Sequence, residues 1–190
     1  EWTPIGLGHD GEDGKGEYNF KTRMFFGVYD GGNHYIYNLK ITDNYKQGAL
    51  FAYVRNDGAV IRNLVVTGNV KNSTDVAGGI IGQLHYGAAI ENCAFIGDVA
   101  TSGHRAGGVV GHVYGGGTVR NCYHTGNVSA PVIAGGVVGR LSFGPYDNDG
   151  DTETVENCYH AGGVISAPNK GVIVGDCVYH EGIETYTYIN

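Results

Sequence analysis

Asp147-Asn148-Asp149-Gly150-Asp151 sets three carboxylates on alternate residues of one short loop. Hard cations such as calcium take oxygen donors, so Asp147, Asp149 and Asp151 are candidate calcium ligands. The glycine falls fourth in the run and not sixth as in an EF-hand loop, so the match is partial, and a solvated acidic loop is the preferred reading of the same residues. The chain also has 14 tyrosines. Tyr123 and Tyr159 recur at one phase of a repeating pattern, and Tyr53, Tyr86 and Tyr114 lie along another strand. Repeating rings beside polar groups suit stacking against sugars or protein surfaces, which makes these five candidate ligand-binding residues. Tyrosine is also a good strand residue, and a structural role is the competing reading.

Catalytic chemistry finds less support. A zinc metallopeptidase needs two histidines one helical turn apart with a glutamate between them, and His180-Glu181-Gly182-Ile183 supplies only one histidine. A polysaccharide-cleaving site needs clustered carboxylates or a placed base, whereas the only charged position that repeats from unit to unit alternates in sign. His124 and His160 share a phase, and His85 and His112 lie near each other on an adjacent face. Such stacked imidazole pairs read as structural. No catalytic residue is assigned.

The elements that must position these side chains repeat. Ala77-Gly78-Gly79-Ile80-Ile81-Gly82, Ala106-Gly107-Gly108-Val109-Val110-Gly111 and Ala134-Gly135-Gly136-Val137-Val138-Gly139 are each followed by an apolar-x-Asn-Cys element ending at Cys93, Cys122 and Cys158. Asn38, Asn63, Asn92, Asn121 and Asn157 are separated by 25, 29, 29 and 36 residues. A fixed period in this range means stacked supersecondary units, none able to bury its apolar face alone. Inside each unit apolar residues alternate with polar ones, as in Gly139-Arg140-Leu141-Ser142-Phe143, and no window carries a helical apolar stripe. The expected fold is all-β, a parallel β-solenoid (β-helix) of about six coils with a period near 29 residues.

Alignment at the glycines brings residues of neighbouring coils to about 4.8 Å and predicts which ones stack. Val54, Leu84, Val113 and Leu141 should form an inward ladder, continued by Cys177, with Tyr53, Gln83, His112 and Arg140 outside. Leu39, Leu64, Cys93, Cys122 and Cys158 should form a second inward ladder, so these thiols read as free core residues. Arg62, Glu91, Arg120 and Glu156 should form an alternating charge ladder. The asparagines should occupy a left-handed bend, and Gly68, Gly97, Gly126 and Gly162 a second bend at positive φ.

With 190 residues and 42% hydrophobic content the chain is one domain with a core. A net charge of −7 argues against a nucleic-acid partner, and no apolar run approaches the 18 or so residues of a membrane helix, so no membrane insertion is expected. Residues 1–17 are expected to be an N-terminal cap segment, with Trp2 covering the first coil, and 18–190 the solenoid repeats. The incomplete last coil suggests a segment of a longer chain with neighbouring domains.

The Gly-Gly-Ile/Val-Ile/Val-Gly elements, each followed by Ile/Val-x-Asn-Cys, resemble the GLUG-motif repeat. Trp2-Thr3-Pro4-Ile5-Gly6 and Phe26-Gly27-Val28-Tyr29-Asp30-Gly31-Gly32-Asn33 resemble the segment that precedes such repeats. Ala49-Leu50-Phe51-Ala52 departs by lacking the glycines, and Gly171-Val172-Ile173-Val174-Gly175 by an apparent extra residue. The resemblance implies an extracellular protein, bacterial cell-surface or secreted. Its repeats occur in large adhesin-like proteins and in the non-catalytic part of immunoglobulin A-cleaving metallopeptidases, and carry no catalytic residues. The expected function is therefore non-enzymatic, adhesin-like binding of glycan or host extracellular protein. An architectural stalk is the alternative, and a polysaccharide-active β-helix enzyme the third reading.

Overall fold

The computed structural model describes residues 2–6, 24–42, 45, 47–143 and 152–179. These residues form stacked parallel coils and, among them, no helix. Each coil contributes a strand to three sheets. A short sheet stacks Gln47–Gly48, Val76–Gly78, Arg105–Gly107, Ile133–Gly135 and Asn169–Gly171. A second, the aromatic sheet, stacks Phe51–Arg55, Ile81–His85, Val110–Tyr114, Val138–Phe143 and Val174–Tyr179. The third and longest has ten strands, beginning with Val28–Ile41, Val60–Asn72 and Ala89–Ile96, and bends at the asparagines and again at the glycines. Among the described residues every ladder pair is parallel, and the rise repeats at about 29 residues for about four turns. The six coils expected from the sequence overcount, because the expected first and last coils are only partly represented among the described residues.

The inward ladder forms as read. Val54 faces Leu84, Leu84 faces Val113, Val113 faces Leu141, and Leu141 faces Cys177. The first four are fully or almost fully buried. In the long sheet Leu64 faces Cys93, and the registers on either side carry the column through Cys122 to Cys158. All four cysteines are free; Cys93 and Cys122 are buried, Cys158 is half-buried and Cys177 exposed. Burial pushes the Cys93 thiol up to about 12, as expected for a sulfur used as a core atom.

Three stacking expectations change. Leu39 faces Gly68 and not Leu64, because Val28–Ile41 slips register twice against its neighbour, between Asp30 and His34 and between Ile36 and Leu39. His34 faces Leu64, so Asn33 stands next to the asparagine bend, with φ of 62° against 55° at Asn63. Asn38 sits instead in the second irregular stretch, its N–H donating to Thr67 Oγ1 at 3.2 Å. At the second bend the ladder runs Gly68, Gly97, Gly126 and then Gly163: a Cβ on Gly163 would lie 2.1 Å from the Gly126 carbonyl oxygen, whereas one on Gly162 would meet nothing within 4 Å. Gly171 faces Gly135 and Val174 faces Val138, so this segment has the usual length and Val172 takes the place of Gly136.

Polar ladders hold the register outside the core. Asn92 Nδ2 donates to Asn63 Oδ1 at 3.2 Å, and Asn121 Nδ2 to Asn92 Oδ1 at 3.0 Å. Each such bond contributes about 1 kcal/mol, and the left-handed backbone at these positions is one that asparagine tolerates. Arg62 faces Glu91, Glu91 faces Arg120 and Arg120 faces Glu156. Arg120 pairs with Glu91 and lies 3.6 Å from Glu156. Asp30 extends the alternation downward, 2.8 Å from Arg62.

At the lower edge, Ile5 and Phe25 bridge to Phe51 and Val54, and Phe25 and Tyr29 meet the Phe51 ring edge-on at 5.2 and 5.4 Å. The cover over the aromatic sheet is therefore made by Ile5 and Phe25. Trp2 N–H reaches the Lys40 carbonyl, and its side chain remains 42% exposed.

Candidate functional site

The outer face of the aromatic sheet gathers the rings predicted from the sequence. In parallel strands, alternate residues face out, which puts Tyr53, Gln83, His112 and Arg140 in one column and Arg55, His85, Tyr114 and Ser142 in the next. His85 is the hub. Its ring lies 6.0 Å from Tyr53, 5.9 Å from Tyr86, 5.5 Å from Tyr114 and 6.1 Å from His112. Its Nε2 lies 2.8 Å from Gln83 Oε1, so the imidazole donates there. Burial under these rings, with Arg55 nearby, lowers its pKa to about 3 and keeps it neutral.

Tyr86 turns the chain out of this strand at φ 53°, where the next coil uses Gly115 at φ 66°. A bulky side chain in the left-handed region is strained by about 1–2 kcal/mol. Arg55 holds the ring from below, its guanidinium carbon 4.2 Å from the ring centroid, and Tyr114 meets it edge-on at 6.1 Å. Strain of this kind at a half-buried aromatic residue on the outer face marks a place where the side chain matters more than local backbone comfort.

His112 joins the rings to a charged corner. Its Nδ1 accepts from Arg105 Nη1 at 3.1 Å, so its Nε2 carries the proton and donates to Ser142 Oγ at 2.8 Å. Arg105 lies 3.6 Å from Asp75, and Arg140 lies 2.9 Å from Asp176. Sequence reasoning missed this corner, since Arg105 belongs to the short sheet and Arg140 to the aromatic sheet. A signal was present: Arg105 stands in one column with Gln47, Val76, Ile133 and Asn169, the one charged residue among them, with apolar side chains directly on either side.

Tyr123 and Tyr159 form a separate feature on the long sheet. Their rings stack at 5.0 Å with planes 5° from parallel. The coil below offers Ala94 at that position. The five predicted tyrosines thus divide into a cluster of three around His85 and a stacked pair elsewhere.

Asp147, Asp149 and Asp151 lie outside the described residues, as does the His180-Glu181 string. Their loop returns at Glu153, whose carboxylate is buried and accepts the Gly115 and Gly116 N–H groups at 2.7 and 3.4 Å. Among the described residues no group of three or more His, Cys, Asp or Glu is placed to hold a metal ion. His124 and His160 do pair, but through their own Nδ1 atoms within the stack.

Residues 102–129 match the family described as the GLUG motif. That stretch, about one coil, is similar to the GLUG motif. The glycine pair Gly107-Gly108, the Asn121 bend and Cys122 all fall inside that GLUG coil, and the coils above and below repeat its register. The chain is thus a β-helix repeat protein. No curated protein matches it, and no solved structure does.

Proposed function

We propose that this chain is a non-enzymatic binding segment of an extracellular bacterial protein, at the cell surface or secreted, which contacts glycan or host protein through outward aromatic side chains. The observation that carries the reading is the cluster around His85, with Tyr53, Tyr86 and Tyr114 held edge to face and Tyr86 kept in a strained backbone conformation. Rings that are packed beforehand lose little freedom when a ligand covers them. Support for a non-catalytic role comes from the outward carboxylates, several of which are engaged with arginines: Asp30, Glu91 and Glu156 in the charge ladder, Asp75 and Asp176 in the corner. The GLUG coil supports the extracellular setting through the proteins in which such repeats occur.

The test is a binding screen of the folded chain against immobilised glycans and host extracellular-matrix proteins, beside Tyr86→Ala and a Tyr123→Ala, Tyr159→Ala double variant. Saturable binding that falls in either variant is the expected result. A blank screen with folded protein would overturn the reading in favour of an architectural stalk, which the unbroken polar ladders also suit.

A further inference from the structure

Three of the five buried polar atoms without a hydrogen-bond partner among the described residues lie in one corner: His104 Nδ1, Arg105 Nε and Arg140 Nε. A buried donor or acceptor left unpaired costs about 1–3 kcal/mol, and native proteins hold few of them. Their concentration beside the His85 rings is local to this corner: the coils directly below and above place Val76 and Ile133 where Arg105 stands, and the outer two place the uncharged Gln47 and Asn169. A polar ligand reaching this corner would relieve the unpaired atoms.

The charges in the corner decide what kind of ligand. Asp75 and Asp176 stand against Arg105 and Arg140. His112 is neutral by its hydrogen bonding, and burial, with the two arginines beside it, lowers the pKa of His104. The corner therefore carries no net charge, and the chain as a whole carries −7. A polyanion would gain nothing from the local field and would be repelled by the whole. A hydroxyl group both donates and accepts, so two neighbouring hydroxyls can take a guanidinium N–H and give to the carboxylate beside it. The rings continue the same surface, because His112 lies 6.1 Å from His85 and 6.2 Å from Tyr114. Flat aromatic faces next to paired donors and acceptors fit a sugar ring, with its apolar face and its equatorial hydroxyls.

We infer that Arg105, Arg140 and their carboxylate partners, together with the rings around His85, form a site for a neutral polysaccharide whose sugars present neighbouring hydroxyls. This rests on the binding reading above and names the ligand class for the same surface.

Isothermal titration calorimetry on the 190-residue chain tests it, with maltohexaose, cellohexaose, mannohexaose and hexagalacturonate as probes at low and high salt, and fibronectin and collagen as protein probes. The expected result is binding of at least one neutral hexasaccharide with little salt dependence. Arg140→Gln and Arg105→Gln should each weaken it by about tenfold or more, the loss of one good hydrogen bond, while Lys71→Gln on the long sheet leaves it unchanged. Binding of hexagalacturonate alone, falling steeply with salt, would overturn the inference. So would neutral-sugar binding indifferent to both arginine variants, or binding of a matrix protein with no sugar; either leaves the broader binding reading standing. If no probe binds folded protein, both fall together.

Discussion

His124 and His160 stack with ring centroids 5.1 Å apart and planes 19° from parallel, and their Nδ1 atoms are 3.0 Å from each other. His124 Nε2 donates to the Gly97 carbonyl at 2.8 Å. Its Nδ1 is therefore an acceptor, and His160 supplies the proton between them. Phe95 continues the stack one coil below at 6.0 Å. In this column Phe95 and His124 are core, with His160 half-buried above them, and the contact between the imidazoles needs His124 neutral, because its Nδ1 must accept.

Acid should loosen it. Burial lowers the His124 pKa to about 4, with His160 acting in the same direction against the Gly97 and Gly136 backbone and Asp98, and burial also lowers His160. In the unfolded chain a histidine titrates near 6.5. Between pH 6.5 and 4 the unfolded state binds the extra proton, so stability falls as pH falls through this window and is flat above it. At about 1.4 kcal/mol per pH step, His124 alone accounts for about 3 kcal/mol. Urea midpoints measured from pH 8 to 4 should show the loss, and His124→Phe, which extends the Phe95 stack, should remove the His124 share of it and leave that of His85, whose pKa is lowered to about 3. A wild-type midpoint constant from pH 6.5 to 4.5 would contradict this account.

The second glycine of each Gly-Gly pair exists to admit that column. A Cβ on Gly108 would lie 2.3 Å from the His124 ring and 2.1 Å from the Gly136 carbonyl oxygen; one on Gly79 would lie 2.3 Å from the Phe95 ring. Neither neighbour can retreat, being a packed ring and a ladder carbonyl. Gly108→Ala should cost about 3 kcal/mol or more, at the upper end for overpacking, or abolish folding. Gly27→Ala meets only Phe25 at 3.6 Å and should change stability by no more than about 0.5 kcal/mol. Thermal melts of the two variants make the comparison.

Where units share residue types, register was readable in advance: Val54, Leu84, Val113, Leu141 and Cys177 stack as their phase implied. The first coil was not, because counting from Asn38 to Asn63 cannot detect two slips within one strand. The same limit applies to the candidate site. Phase alone placed Tyr53, Tyr86 and Tyr114 along one sheet, but the part played by His85 depends on ring contacts between coils, and the Arg105 and Arg140 corner depends on the angle between two sheets.

Arg120 tests the charge ladder. It pairs with Glu91 below and approaches Glu156 above, and its side chain is 43% exposed. Arg120→Glu would put three carboxylates in one column at strand spacing. Solvent screens such pairs, so the expected result is a small loss of stability at low ionic strength, largely recovered near 1 M salt, where the screening length drops to about 3 Å. Denaturation midpoints at two salt concentrations measure it, and a salt-independent loss would assign the effect to packing.

Glu153 fastens the returning end of the fifth-coil insertion to the coil beneath. Gly115 and Gly116 both have positive φ, 66° and 74°, and direct successive N–H groups at one carboxylate oxygen. Such a concavity favours an anion. Glu153→Gln keeps the shape and removes the charge, and should cost about 1–2 kcal/mol; Glu153→Ala should cost more, since it leaves the Gly115 N–H without its acceptor. Equal stability of all three proteins would show that the loop closes without this contact.

Tyr86 separates binding from folding. Tyr86→Gly relieves about 1–2 kcal/mol of left-handed strain and gives up ring contacts with Arg55, His85 and Tyr114 that are together of about the same size, so its urea midpoint should stay within about 1 kcal/mol of wild type. Tyr86→Ala loses the same contacts while keeping a Cβ at φ 53°, and should be the less stable of the two. Both remove the ring, and both should weaken ligand binding by about tenfold or more. A Gly variant that is much less stable than wild type would mean that Tyr86 is held for the fold, and the strained ring would then lose its functional meaning.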